Sequence, residues 1–232
     1  MKILALETSG DACSAALWID GGCQEKFELT PRAHSKLILP MVDELMSAAG
    51  LKPQQLDAIA FGRGPGSFTG VRIAAGVAQG IAFGADLPVL PVSALAALAQ
   101  DFFNNHSEWR TAFTALDARM NEIYWATYQQ NSQGLAELIG DETVTDASQI
   151  RFPDAPGFGV GSGWAAHGEV LRRVLGHRVA DSQAIIYPRA AVVAQLGASY
   201  FQQGLAAPAD QALPVYLRDK VAKTLLERES GA

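Results

Sequence analysis

The sequence predicts an α/β protein built of two similar subdomains, and three observations carry that expectation. Three strand-like segments, residues 2–7, 12–19 and 23–29, open the chain, parted by the turn signals Thr8-Ser9-Gly10-Asp11 and Asp20-Gly21-Gly22. A second set of three, residues 111–117, 122–129 and 135–144, repeats the order. The first strand of each set ends alike, Ala5-Leu6-Glu7 against Ala115-Leu116-Asp117. The same offset lays Ala16 on Ala126 and Gly21 on Asn131.

Between the two sets the pattern alternates. An apolar-periodic helix is expected over residues 33–49, with Pro40 inside it. A buried strand over 57–62 leads through a glycine-rich loop into a second helix over 67–85. A strand at 88–92 and a helix at 93–103, with Ser93 as its N-cap, complete the first half. The second half continues with a strand at 157–161, a helix at 164–175 and a helix at 188–203 whose Pro188 suits a first turn. A duplicated three-strand meander with alternating helices is the plan of the actin, hexokinase and heat-shock-protein superfamily, the ASKHA type. It implies subdomains at 1–105 and 106–232, with room for the extreme C-terminus to pack back on the first. It also sets Glu7 and Asp117 on opposing walls of a cleft.

Composition narrows the function classes. Hydrophobic residues at 49% and charged ones at 18% describe a globular chain, not a disordered one. A net charge of −6 gives no electrostatic grip on nucleic acid, because that grip comes from Lys and Arg displacing counterions. The N-terminus lacks the apolar region and cleavage site of a signal peptide. The longest apolar stretch, 71–85, is interrupted by Gln79 and glycines and is short for a bilayer. The expectation is a soluble, cytoplasmic protein without a membrane segment. Two cysteines, Cys13 and Cys23, are too few for a disulfide framework and are expected as small core residues on neighbouring strands.

The loop "FGRGPGSFTGVR" at 61–72 resembles a phosphate cradle, yet each such motif fails. A P-loop needs Gly-Lys-Ser/Thr and Gly66-Ser67 has no lysine. A dinucleotide fingerprint from Gly62 or Gly64 meets Ser67 or Thr69 where its third glycine belongs. A nucleophile elbow fails at Pro65. The plainer reading is a tight turn at Gly64-Pro65-Gly66 with Ser67 capping the helix.

That helix is apolar nearly all round. Gly70, Ile73, Gly76, Val77, Gly80, Ile81 and Gly84 share one face; Val71, Ala75, Ala78 and Ala82 share another. Its four glycines cost roughly 1 kcal/mol each relative to alanine, which close backbone approach would offset. The preceding helix is apolar over an arc of about 200°, where resting on one sheet needs roughly 100°. A partner covers this excess, or later elements of the same chain do.

Signs of chemistry are sparse. His34, His106, His167 and His177 are not spaced as metal ligands. Glu7, Asp11 and Asp117 are candidate carboxylates for a nucleotide-metal cleft, and Arg119 sits where it neutralises Asp117. No nucleophile-base arrangement is visible.

Four segments, "HSKLILPMVDEL" (34–45), "FGRGPGSFTGVRIA" (61–74), "LDARMNEIYWA" (116–126) and "PVYLRD" (214–219), resemble the TsaB family of bacterial tRNA threonylcarbamoyladenosine biosynthesis subunits, also described as glycoprotease-like. "ETSGD" (7–11) is similar to the opening of its catalytic paralogue TsaD. The resemblance implies a non-catalytic subunit that needs no cofactor and pairs with TsaD through its first two helices. The TsaE ATPase joins the pair, and tRNA is met only through the complex; because an apolar two-helix surface is seldom left bare, a homodimer is expected when the chain is alone. The complex places a threonylcarbamoyl group on the adenosine beside the anticodon of tRNAs reading ANN codons. The implied interface takes His34, Leu37, Ile38, Met41, Val42 and Leu45 from the first helix and Val71, Ala75, Gly76, Ala78 and Gly80 from the second. The competing reading is a stand-alone ASKHA-type ATPase or kinase using Glu7 and Asp117.

Overall fold

A computed structural model describes residues 1–218. Two five-stranded mixed sheets carry the fold. In the first, β1 (Lys2–Glu7), β2 (Ala12–Ile19) and β3 (Gly22–Leu29) form an antiparallel meander; β4 (Ala58–Gly64) joins β1 in parallel and β5 (Val89–Ser93) joins β4. The spatial order is β3-β2-β1-β4-β5. In the second, β6 (Thr111–Asp117), β7 (Glu122–Gln130) and β8 (Ala136–Asp146) repeat the meander, while β9 (Gly157–Val160) and β10 (Val179–Gln183) repeat the parallel pair. The order β10-β9-β6-β7-β8 is the same plan, so the ASKHA-type duplication expected from the sequence is present.

The two halves differ by one residue in their first hairpin. Glu7 pairs with Ser14 and Asp117 with Ile123, so the second loop is shorter. Ala5 faces Ala16 across the ladder, but Ala115 faces Trp125. The sequence match of Ala16 to Ala126 is therefore one position out of register, and on a strand one position changes the face.

Strands β1 and β4 are buried on both faces, which is why they read as continuous apolar runs. On one face, Leu4, Leu6, Leu17, Ile59 and Phe61 meet α1 (His34–Ala49) and α2 (Phe68–Ala85). On the other, Ile3, Ala5, Ala60 and Leu90 meet α3 (Ala94–Asn105) and α5 (Ala190–Gln202). That cluster also takes in Ala112, Ala126 and Tyr128 of the second sheet, so α3 and α5 form a layer common to both halves. The far face of the second sheet is closed by α4 (Gly163–Leu175) through Trp164, Leu171 and Leu175 on Phe113 and Trp125. Helix α5 follows the second sheet in the chain yet packs on β1, β2 and β4 of the first.

Small residues allow these approaches. A Cβ at Gly197 of α5 would stand 2.8 Å from Ala60 Cβ, and one at Gly163 2.7 Å from Ala115 Cβ. Ser93 caps α3 as expected, its hydroxyl accepting from the N–H groups of Leu95 (3.1 Å) and Ala96 (3.3 Å). Three expectations need correction. Pro188 lies before the N-cap Arg189 of α5, not in its first turn. Strand β10, short and polar, lacks the apolar run that marks a strand and was not foreseen. Cys13 is buried, but Cys23 is exposed because β3 is an edge strand.

Among the described residues, α2 is the one helix long and apolar enough in composition to cross a membrane. Here it packs on β4, with Ala74, Ala75, Ala78 and Ala82 buried against the sheet.

Candidate partner interface

The carboxylate at the end of β1 does not face a cleft. Glu7 has no exposed surface. A Cβ at Gly62 would overlap Glu7 Oε2, so the neighbouring strand leaves room for the carboxyl only by being glycine there. Oε1 accepts from the Ser9 N–H at 2.5 Å, while Oε2 has no hydrogen-bond partner. Burial pushes the Glu7 carboxyl above its ordinary pKa, against the opposing pull of its Ser9 hydrogen bonds. The opposing walls expected for Glu7 and Asp117 are thus corrected on the Glu7 side. Asp117 is part-exposed and turned back on its own loop. It accepts from the Arg119 N–H at 2.8 Å, and the Arg119 guanidinium lies 3.3 Å away.

The hairpin after Glu7 is clamped by α1 and α2 and the segments that lead into them. The Thr8 hydroxyl donates to Gly70 O at 2.7 Å, and the Ser67 N–H donates to Ser9 O at 2.7 Å. His34 Nε2 lies 3.0 Å from Gly10 O, and the Thr30 N–H reaches Asp11 O at 2.9 Å. Cβ atoms at Gly66 and Gly70 would overlap the carbonyls of Ser9 and Thr8. The glycine-rich loop is therefore an entry turn pressed onto the hairpin. It ends at the cap expected of it, with Ser67 Oγ accepting from the Gly70 N–H at 3.4 Å.

Retaining a buried acid makes stability depend on pH. A raised folded-state pKa means that the stability associated with Glu7 is fully present below the ordinary carboxylate range. It is lost as pH rises through the folded-state value. Glu7→Gln keeps the acceptor for Ser9 and removes the titration. We expect the variant to gain in melting temperature over the wild type as pH rises out of the carboxylate range, then to hold a constant lead. Parallel melting curves of the two proteins across pH would refute a retained proton on Glu7.

Helices α1 and α2 lie side by side on one face of the first sheet. Their inward residues are spoken for. His34, Ile38, Met41 and Leu45 of α1 and Val71, Ala75 and Ala78 of α2, all expected on a partner surface, are buried in the chain's own core. Their apolar spacing is the ordinary stripe of a helix on a sheet. Leu37 and Val42 are half-buried. Gly76, Gly80 and Gly84 are exposed, with nothing within 4 Å of a Cβ built on any of them. Of the four α2 glycines, only Gly70 serves a close approach within the chain. Beside the open glycines stands Phe83, 83% exposed, and α1 adds Leu39 at 54%. Leu39 belongs to the wide apolar arc of the first helix, whereas Phe83 lies outside the interface expected from the sequence. Phe83 could have been included, since Gly76, Gly80 and Phe83 follow the i, i+4, i+7 spacing of one helical stripe. The result is a two-helix surface that is flat at the glycines and apolar at Phe83.

Over residues 28–225 the chain matches the family model described as "TsaD: tRNA N6-adenosine threonylcarbamoyltransferase". It is similar to the "tRNA threonylcarbamoyladenosine biosynthesis protein TsaB" of Escherichia coli (strain K12), 40% identical over 226 residues and 96% of each chain. The protein of the same description from Haemophilus influenzae is 40% identical over 239 residues and 99% of each chain. The solved structure described as "YeaZ from Pseudomonas aeruginosa" matches with a TM-score of 0.86 at 43% identity, over 93% of this chain and 99% of that one. Identity at this level over nearly the whole chain, with the fold matched as well, means that the chain belongs to the TsaB family.

Proposed function

We propose that the chain is a non-catalytic subunit of the assembly that forms threonylcarbamoyladenosine in tRNA, and that it works by pairing with a TsaD-type paralogue through the outward face of α1 and α2. One observation carries the reading. The carboxylate at the end of β1 is sealed against Gly62, while the adjoining helices leave Gly76, Gly80 and Phe83 bare. Burying a phenylalanine side chain stabilises by about 1.5–3 kcal/mol, and open glycines let a second helix pair approach closely. The names of the E. coli and H. influenzae relatives support the pathway, and the family model supports kinship with the transferase. A chain of net charge −6 meets tRNA through its partners. In this reading a TsaE-type ATPase joins the pair, and the same helix face forms a homodimer when the partner is absent.

The competing kinase-like reading needs Glu7 and Asp117 together, and only Asp117 retains access to solvent. The test combines copurification with the TsaD-type paralogue, tRNA modification with each subunit omitted in turn, and ATP turnover by the isolated chain. We expect a stoichiometric pair, modification that requires both subunits, and no turnover by this chain alone. ATP hydrolysis that vanishes in Asp117→Ala would overturn the reading in favour of the kinase-like one.

A further inference from the structure

A second polar centre lies between the two sheets. Glu142 of β8 points into it with its side chain 6% exposed. One carboxylate oxygen accepts from Arg63 Nη2 of β4 at 2.9 Å. The other accepts from the Tyr128 hydroxyl of β7 at 2.7 Å and from the Ser93 hydroxyl at the start of α3. Beside the carboxylate is a cavity of about 270 Å³, also lined by Ala96, Leu138 and Tyr200.

Both charged partners stand at ladder irregularities. Gly62 pairs with Val92 and Gly64 with Ser93, so Arg63 is an extra residue in β4. Trp125 pairs with Thr143 and Thr127 with Ile139, so Gly140, Asp141 and Glu142 stand opposite Ala126 alone. Bulges re-aim side chains at a cost in ladder hydrogen bonds. Here two of them, on different sheets, aim a guanidinium and a carboxylate at each other. Arg63 is held from a second side too, its carbonyl accepting from the Val215 N–H at 2.8 Å.

We propose that Arg63, Tyr128 and Ser93 form a carboxylate-binding pocket between the two halves, that Glu142 is its built-in occupant, and that this occupancy locks the halves in one relative orientation. The chain supplies the anion itself, and the halves stay fixed. The pocket, once vacated, should accept a small free monocarboxylate.

The test is thermal unfolding of the full chain with sodium acetate titrated against sodium chloride at equal ionic strength. Removing one partner of a part-buried pair leaves the other charge uncompensated, and Glu142→Ala should lower the melting temperature, by less than the roughly 6–20 °C that breaking a fully buried pair would bring. Acetate should then raise that variant's melting temperature along a saturable curve. The wild type, Arg63→Met/Glu142→Ala and the exposed Glu44→Ala should not respond. Glu142→Gln, which keeps an acceptor but no charge opposite Arg63, should melt between Glu142→Ala and the wild type and ignore acetate. If Glu142→Ala does not fold alone, acetate-dependent refolding replaces the melt, and acetate that yields no folded protein overturns the proposal. So does an unchanged melting temperature in Glu142→Ala or Glu142→Gln, or an acetate response shared by all the proteins.

Discussion

Gly80→Leu should abolish pairing with the TsaD-type partner and leave the isolated chain as stable as before, whereas Ala78→Leu should do the reverse. The two positions are two residues apart on α2 and face opposite ways. A Cβ on Gly80 meets nothing within 4 Å, so a leucine there stands in solvent. Replacing a helical glycine also removes a propensity penalty of about 0.8–1.0 kcal/mol, so the isolated chain should melt at the same temperature or slightly higher. In a pair of closely packed helices the same side chain keeps the backbones apart. Ala78 has no exposed surface and lies in the cluster with Leu6, Ile59 and Phe61. A leucine at that point overfills a packed core, at a cost of roughly 1–3 kcal/mol. Melting temperature and pairing affinity measured on both variants check this. Loss of pairing in Ala78→Leu at full stability, with Gly80→Leu still paired, would place the interface elsewhere.

Gly70→Val should be the most damaging single substitution in α2. Its Cβ would overlap the Thr8 carbonyl oxygen, which is backbone and cannot swing aside. Two further contacts depend on the same approach: the Thr8 hydroxyl bond to Gly70 O and the Ser67 N–H bond to Ser9 O. The helix entry must lift off the hairpin that also covers Glu7. We expect a loss at or above the upper end of the roughly 1–3 kcal/mol typical of overpacking, read by denaturant unfolding, with protection of the 7–14 hairpin amides lost in hydrogen exchange. Gly76→Val, with open space around it, is the matched control and should be near neutral in the isolated chain. Equal losses in the two variants would mean that helix propensity, not contact with Thr8, sets the cost.

Much of the fold was legible in the sequence, and particular residues show why. Alternation and turn chemistry mark β1, β2 and β3 within a residue of their ends. Ser67 and Ser93 announce two helix starts, because a hydroxyl that accepts from the first turn is a local device. The order of elements was enough to reveal the duplication, which the matching strand orders of the two sheets bear out. Strand β10 escaped because its residues, Val-Ala-Asp-Ser-Gln, carry no apolar run.

The sequence by itself determined the elements, their duplication and the presence of two helices too apolar for one sheet, because these depend on neighbours along the chain. Only the tertiary structure decided which face of each helix is free. The periodicity that seats Ala75 and Ala78 on the sheet and buries Val71 beside Gly64 is the same periodicity that would seat them on a partner, and packing alone tells the two apart. The same holds for the glycines: Gly62 and Gly70 are filled by Glu7 and Thr8, while Gly76 and Gly80 face open space. It holds for Glu7, which the sequence set at a cleft and the approach of β4 sealed away. It holds most of all for Arg63 and Glu142, 79 positions apart, which meet only because a bulge in each sheet turns one toward the other. A contact at that separation leaves no trace in local pattern, since it exists only once both sheets have formed and docked.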